Sequence, residues 1–133
     1  MKLLEVSKDG GPESTVTAYW LIELKGWFSV AILCFANGSR DAFHSHAFNS
    51  ISWLLWGQLC ETMVDTPDSG WWYYPSPIPI ITRKTTFHKV WSKGRSWVLT
   101  FRGPWTDTWR EYRPGSEKQD VVLTHGRKEV EAV

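Results

Sequence analysis

Short runs of β-branched and aromatic residues, each closed by a glycine, proline or Asn-Gly signal, restrict this chain to an all-β fold. Thr15–Leu24 (TVTAYWLIEL) is the first solid run, Lys25-Gly26 turns it, and Trp27–Phe35 (WFSVAILCF) returns, apolar on both faces. Asn37-Gly38 makes the next turn. Ile51–Gly57 and Gln58–Val64 read as a second hairpin about Gly57, and DTPDSG is the loop after it. The aromatic run Trp71–Tyr74 leads into PSPIPI, whose prolines forbid an interior helix and disfavour a central strand, so an edge or lid is expected there. Ile80–Val90 and Ser96–Arg102 follow, with turns at Lys93-Gly94 and Gly103-Pro104, and Trp105–Tyr112 reads as a last edge strand. Seven or eight such strands make a sandwich or a jelly-roll β-barrel.

A chain of 133 residues is long enough to bury a core and short enough to be one domain. Residues 1–14 read as a turn-rich lead-in, 15–113 as the barrel, and 114–133 as a polar tail that adds a strand, docks on a neighbour or stays disordered. His125, in that tail, reads as a solvated residue. The net charge of +1 creates no field for a polyanion, so nucleic acid is unsupported as a partner. No apolar stretch is long enough for a signal peptide or a membrane span, and the expectation is a soluble cytoplasmic protein with no membrane partner. Cys34 and Cys60 lack CxxC spacing and read as buried, reduced thiols. Ten tryptophans exceed what a small core needs, which points to aromatic walls around a cavity or to a subunit interface. The doubly apolar Trp27–Phe35 makes a homodimer the expected assembly.

The chemistry concentrates in Asp41–Gly57, DAFHSHAFNSISWLLWG. Residues i and i+2 leave the same face of a strand about 6–7 Å apart, so His44 and His46 converge. A third imidazole, His88, comes from the later run TRKTTFHKVW. Neutral imidazole is the commonest ligand for zinc, copper, iron and nickel, and three of the four histidines can share one ion. Strict alternation puts Ala42, Phe48, Ser50, Ser52, Leu54 and Trp56 on the histidine face. Ser50, Trp56, Thr86 and Thr100 are expected to line the pocket. Trp53 and Trp91 are expected outside it, and Glu61 as a solvated cross-strand partner.

The order HxH, apolar residues, Gly57, QLCETMV, then a further His resembles the cupin superfamily, in which such pieces build a jelly-roll barrel around a metal. The slots of that family's glutamate ligand hold Ser50 and Ile51, which leaves a face of three histidines. Among cupins, HSHAFNSISWLLWGQLCETMVD, FHKV and GPWTDTW are similar to the thiol dioxygenases, over roughly half of the chain. The resemblance implies Fe(II) held by His44, His46 and His88, with Zn, Mn or Ni as the alternative metals. Short cupin-like proteins of bacteria and phages are similar too. Three departures stand against the thiol-dioxygenase pattern. The positions of its Ser-His-Tyr relay carry Val98, Thr100 and Arg102, the cysteine of its cross-link is replaced by Ile51, and Thr15–Leu24 lacks its carboxylate-binding arginine. Arg102 or Arg83 is the candidate donor fork for a carboxylate or phosphate in its place.

Three functions follow as expectations. The first is a mononuclear non-heme Fe(II) dioxygenase acting on a small polar metabolite. The second is a sugar or sugar-nucleotide isomerase or epimerase, in which a histidine is the base and no metal is essential. The third is a cupin that binds a ligand without catalysis.

Overall fold

The computed structural model describes residues 2–9, 14–38, 43–63, 72–74, 78–84, 86, 88–112, 120–124 and 128–132. Every paired strand among them is antiparallel, and no helix occurs among the described residues. None is therefore long and apolar enough to cross a membrane. The expected all-β architecture is present, with eleven strands among the described residues where seven or eight were read. The surplus comes from pieces too short or too polar to stand out in the sequence. They are β4 (Phe43–His44), β6 (Trp72–Tyr73), and the hairpin of β10 (Asp120–Thr124) and β11 (Lys128–Ala132), while the run read as Ile80–Val90 divides into β7 (Ile80–Thr82) and the first residues of the strand that begins at His88. His125 lies outside the described residues.

The sheet begins with β1 (Lys2–Lys8), inside the stretch read as a lead-in, paired to β2 (Val16–Leu24), which pairs β3 (Phe28–Phe35). Next to β3 runs β8 (His88–Arg102), and the order continues through β4, β9 (Thr108–Tyr112), β10 and β11. β9 is thus interior, between β4 and β10, and not the last edge.

The organising unit is the ribbon formed by β5 (Ser50–Met63) and β8. β5 is one fourteen-residue strand, not the hairpin expected at Gly57. Gly57 kinks it, with φ at +101°, a region glycine enters without penalty. Register shifts at Leu54/Trp56 and Trp56/Gln58 flank the kink. Gly94 plays a similar part inside β8, with φ +73°, so Lys93-Gly94 bends a continuous strand and does not end one. The kink packs against Ser96, whose Oγ accepts from the Gln58 N–H at 3.1 Å and lies 2.8 Å from Ser92 Oγ. Both ends of the bent ribbon line one cavity: Ser50, Ser52, Thr100 and Arg102 from one end, Leu59 and His88 from the other. Ala18, Ala31, Leu33, Leu54, Leu59 and Val98 form the packed core, of which Leu33, Leu59 and Val98 also line the cavity. Cys34 and Cys60 are free thiols, Cys60 buried and Cys34 half-buried. Burial pushes the Cys60 thiol above its ordinary pKa.

Candidate metal centre and cavity

His46 leaves the sheet on the loop Ser45–Asn49, which the GPWTDTW segment holds from behind. The Ser45 N–H donates to the Arg110 carbonyl at 2.9 Å, and the Arg110 N–H returns a bond to Ser45 Oγ at 2.9 Å. Thr106 donates from both its N–H and Oγ1 to the Ala47 carbonyl, at 2.6 and 3.0 Å. The Gly103 N–H donates to the Asn49 carbonyl, and the Lys84 N–H to Asn49 Oδ1. These bonds satisfy a buried loop's polar backbone and set its course. Opposite it, His88 opens β8, with its Cα in register with those of His44 in β4 and Met63 in β5.

His46 Nε2 and His88 Nε2 lie 2.8 Å apart, with the two rings at 77°. On the far side of its ring, His88 Nδ1 is 2.7 Å from Glu61 Oε2, and the Tyr74 hydroxyl donates to the same oxygen at 2.9 Å. Burial works to raise the Glu61 carboxyl, but the hydrogen bond and charge of His88 and the Tyr74 hydroxyl outweigh it, so its pKa falls below the usual value. Burial, and then the Glu61 carboxylate, push the Tyr74 hydroxyl well above its ordinary range, which keeps it a donor. The two Nε2 atoms stand within hydrogen-bond distance of each other, and the ring tautomers decide which one donates. Two imidazole lone pairs do not face each other at this distance unless a proton or a cation lies between them.

The pair fits a metal ion. Two nitrogens each about 2.1 Å from one ion stand about 3.0 Å apart at adjacent octahedral positions, so 2.8 Å needs to open by only a few tenths of an ångström. Glu61 supplies the outer carboxylate that metal-binding histidines commonly carry. Among the described residues no third His, Cys, Asp or Glu completes a metal-holding group. The backbone of His44 stands opposite His88, and the His44 side chain lies outside the described part of the structure.

The cavity in front of the pair measures about 400 Å³. Phe48 packs on His46 at 5.3 Å between ring centroids, and Trp105 packs on Phe48 at 5.0 Å. Arg102 enters from the end of β8 and is only 5% exposed. Its guanidinium sits 4.5 Å from the Phe48 ring centroid and 5.3 Å from that of Trp20. Its Nη1 and Nη2 donate to the two carboxylate oxygens of Asp9, at 3.1 and 2.7 Å. Its buried Nε has no hydrogen-bond partner among the described residues.

Of the expected pocket positions, Ser50 and Thr100 line the cavity, Thr86 is half-buried away from it, and Arg83 is exposed on the turn after β7. Trp56 is a correction: at 65% exposure it faces solvent. Alternation from His46 holds through Phe48, Ser50, Ser52 and Leu54, and the register shift after Leu54 then turns Trp56 outward. Trp53 also faces out, edge-on to Phe101 at 5.6 Å. Glu61 is a second correction, since it binds His88 and is not a solvated partner. Tyr74, Asp9 and the buried Glu111, whose Cα pairs with that of His44, carried no local signal. Their parts depend on long-range register.

No protein-family model and no curated protein sequence matches the chain. Solved structures do match its fold. A sugar phosphate isomerase of the cupin superfamily from Silicibacter pomeroyi superposes with a TM-score of 0.64 at 12% identity, over 98% of this chain and 92% of that one. An RmlC-like cupin from Shewanella frigidimarina gives 0.56 at 12% identity, over 76% and 84% of the two chains. Fe(II)-HppE with an alternative substrate gives 0.60 at 10% identity, over 74% of this chain and 55% of that one. At these identities the likeness speaks for architecture and leaves chemistry open. In architecture, the chain is a cupin-fold jelly roll.

Proposed function

We propose that this protein is a metal-dependent cupin oxygenase, using Fe(II) on His44, His46 and His88 and acting on a small carboxylate-bearing metabolite. The observation that carries the reading is the His46–His88 approach at 2.8 Å with Glu61 fixed behind His88. Neutral nitrogen donors suit iron, zinc and nickel alike, and an Fe(II) protein is among the folds this chain is similar to. Bound Fe(II) would supply Lewis acidity and dioxygen activation. The chain's own residues would do the rest. Glu61 holds the His88 proton at Nδ1 and fixes the ring, Phe48 and Trp105 exclude water, and Arg102 anchors the substrate. A substrate carboxylate would reach the Arg102 fork by displacing the Asp9 carboxylate, which fills it with the same bidentate geometry. Arg83, exposed and away from the cavity, has no part in this reading.

A second reading is favoured by the same Glu61–His88 contact. A carboxylate behind Nδ1 makes Nε2 a general base, which would suit isomerisation of a sugar derivative without a metal. Dioxygen uptake separates the two. Iron-loaded protein should consume dioxygen with at least one member of a panel of thiol acids and 2-oxo acids, and not with the matching amides. Arg102→Lys, which keeps the charge and loses the fork, should raise KM for that acid about tenfold or more, in line with a bidentate contact. No uptake with any acid at full iron occupancy would count against the oxygenase and for the isomerase or a non-catalytic binder.

A further inference from the structure

The inner face of the sheet carries one row that is polar throughout. It crosses six strands as Lys2, Glu23, Ser29, Arg102, Ser50 and Thr82, each opposite the next. All but Ser29 line the cavity. Glu23 is 3% exposed, Ser29 0% and Thr82 8%, so the row runs through the interior, where polar groups are ordinarily paired. The cations at this end are each engaged. Lys2 Nζ donates to Ser7 Oγ at 3.2 Å and lies 5.0 Å from the Trp20 ring centroid, Lys25 Nζ lies 4.8 Å from that of Trp105, and Arg102 holds Asp9. Glu23 has no hydrogen bond or ion pair among the described residues, although Lys2 stands directly opposite it and Lys25 two positions along. Beside it, Ser29 Oγ and Arg102 Nε are buried without a hydrogen-bond partner among the described residues. One end of the cavity is therefore walled by groups with hydrogen bonds still to make.

We infer that this end of the cavity is a subsite for hydroxyl groups, with Glu23 as its acceptor, and that the metabolite is a polyhydroxy acid. The acid part rests on the proposed anchoring by Arg102. The hydroxyl part rests on Glu23 alone. An unpaired carboxylate in the interior is costly, and a ligand that donates to it recovers part of that cost. A cation and a hydroxyl are the two kinds of donor that do so. Lys2, Lys8, Lys25 and Arg102 line the cavity against the carboxylates of Asp9 and Glu23, so its charge disfavours a cationic head. Hydroxyls are neutral, and each both donates and accepts. That suits a wall in which a carboxylate stands among the hydroxyls of Ser50, Ser52, Thr82 and Thr100, with Ser52 Oγ donating to Thr100 Oγ1 at 3.0 Å. A cavity of about 400 Å³ has room for a six-carbon acid.

Calorimetric titration of the whole protein under nitrogen, where no oxidation proceeds, tests this with three six-carbon probes. Gluconate carries the carboxylate and the hydroxyls, hexanoate only the carboxylate, and glucitol only hydroxyls. Gluconate is expected to bind about tenfold tighter than hexanoate or better, the margin of one hydrogen bond to a charged group. Glu23→Gln keeps the shape and one acceptor oxygen without the charge, and should remove most of that margin while leaving hexanoate unchanged. The variant should melt no lower than the parent, because a neutral amide replaces a buried, unpaired charge. Equal affinity for gluconate and hexanoate overturns the hydroxyl subsite and leaves Arg102 as the anchor. Glucitol binding as tightly as gluconate, and weakened by Glu23→Gln, upholds the subsite and overturns the carboxylate anchor. Binding of none of the probes, or a gluconate margin untouched by Glu23→Gln, overturns the inference and leaves Glu23 to water.

Discussion

Gly57→Ala is expected to lower the unfolding midpoint by about 10 °C or more, the largest stability loss of any single replacement among the described glycines. At φ +101° a side chain is strained whatever the space around it, by about 1–3 kcal/mol. Space is also lacking. A Cβ there would stand 2.6 Å from the Arg95 carbonyl oxygen and 2.7 Å from the Ser96 Cα, both backbone atoms of the neighbouring strand. Forcing the strands apart adds an overpacking term of about 1–3 kcal/mol. In a domain of this size each kcal/mol moves the midpoint by roughly 3–4 °C. Gly94→Ala is the matched control: its φ of +73° is also positive, but a Cβ there meets nothing within 4 Å. It should lose only the backbone part, a few degrees. Thermal melts of the two variants at one protein concentration decide this. Equal losses would mean that the kink in β5 is not held against Ser96 as described.

The second large effect falls on metal affinity. His88→Ala removes a proposed ligand and is expected to abolish tight binding of Co(II) or Fe(II). Glu61→Ala leaves every proposed ligand in place and removes only what fixes the His88 ring. Loss of such an outer partner typically weakens binding by about 10–100-fold. Glu61→Gln keeps an oxygen acceptor for the Nδ1 proton without the charge, and should fall between Glu61→Ala and the parent. Competition titrations against a chelator of known affinity measure all three. Unchanged affinity in Glu61→Ala would detach Glu61 from the metal, and would favour the general-base reading of the same contact.

Much of this was legible from the residues alone. Strand identity followed from β-branched and aromatic runs, and His46 and His88 were both readable as candidate ligands, although His46 stands on the loop after β4 and not on the strand that the HxH spacing assumed. Two kinds of feature were not. The first is continuity: a glycine with positive φ ends a hairpin strand or kinks a long one with the same local signature, and only the partner strand decides which. Gly57 and Gly94 both kink. That choice shifted the alternation after Leu54 and sent Trp56 outward, where parity had placed it inside. The second is pairing across long separations. Asp9 meets Arg102 across ninety-three positions, and Tyr74 meets Glu61 through the short β5–β6 pairing. Arg102 could be named as a donor fork, but its burial between Phe48 and Trp20 and its Asp9 partner depend on how β1, β2, β3 and β8 lie side by side.

The proposed function requires one ion bound by His46 and His88 together. Elemental analysis of protein produced and purified without oxygen or chelators tests it most directly. Close to one metal ion per chain is expected, iron foremost, with its loss in His46→Ala and His88→Ala. Less than about 0.1 metal per chain, which an intact site of nitrogen ligands does not allow, would contradict it.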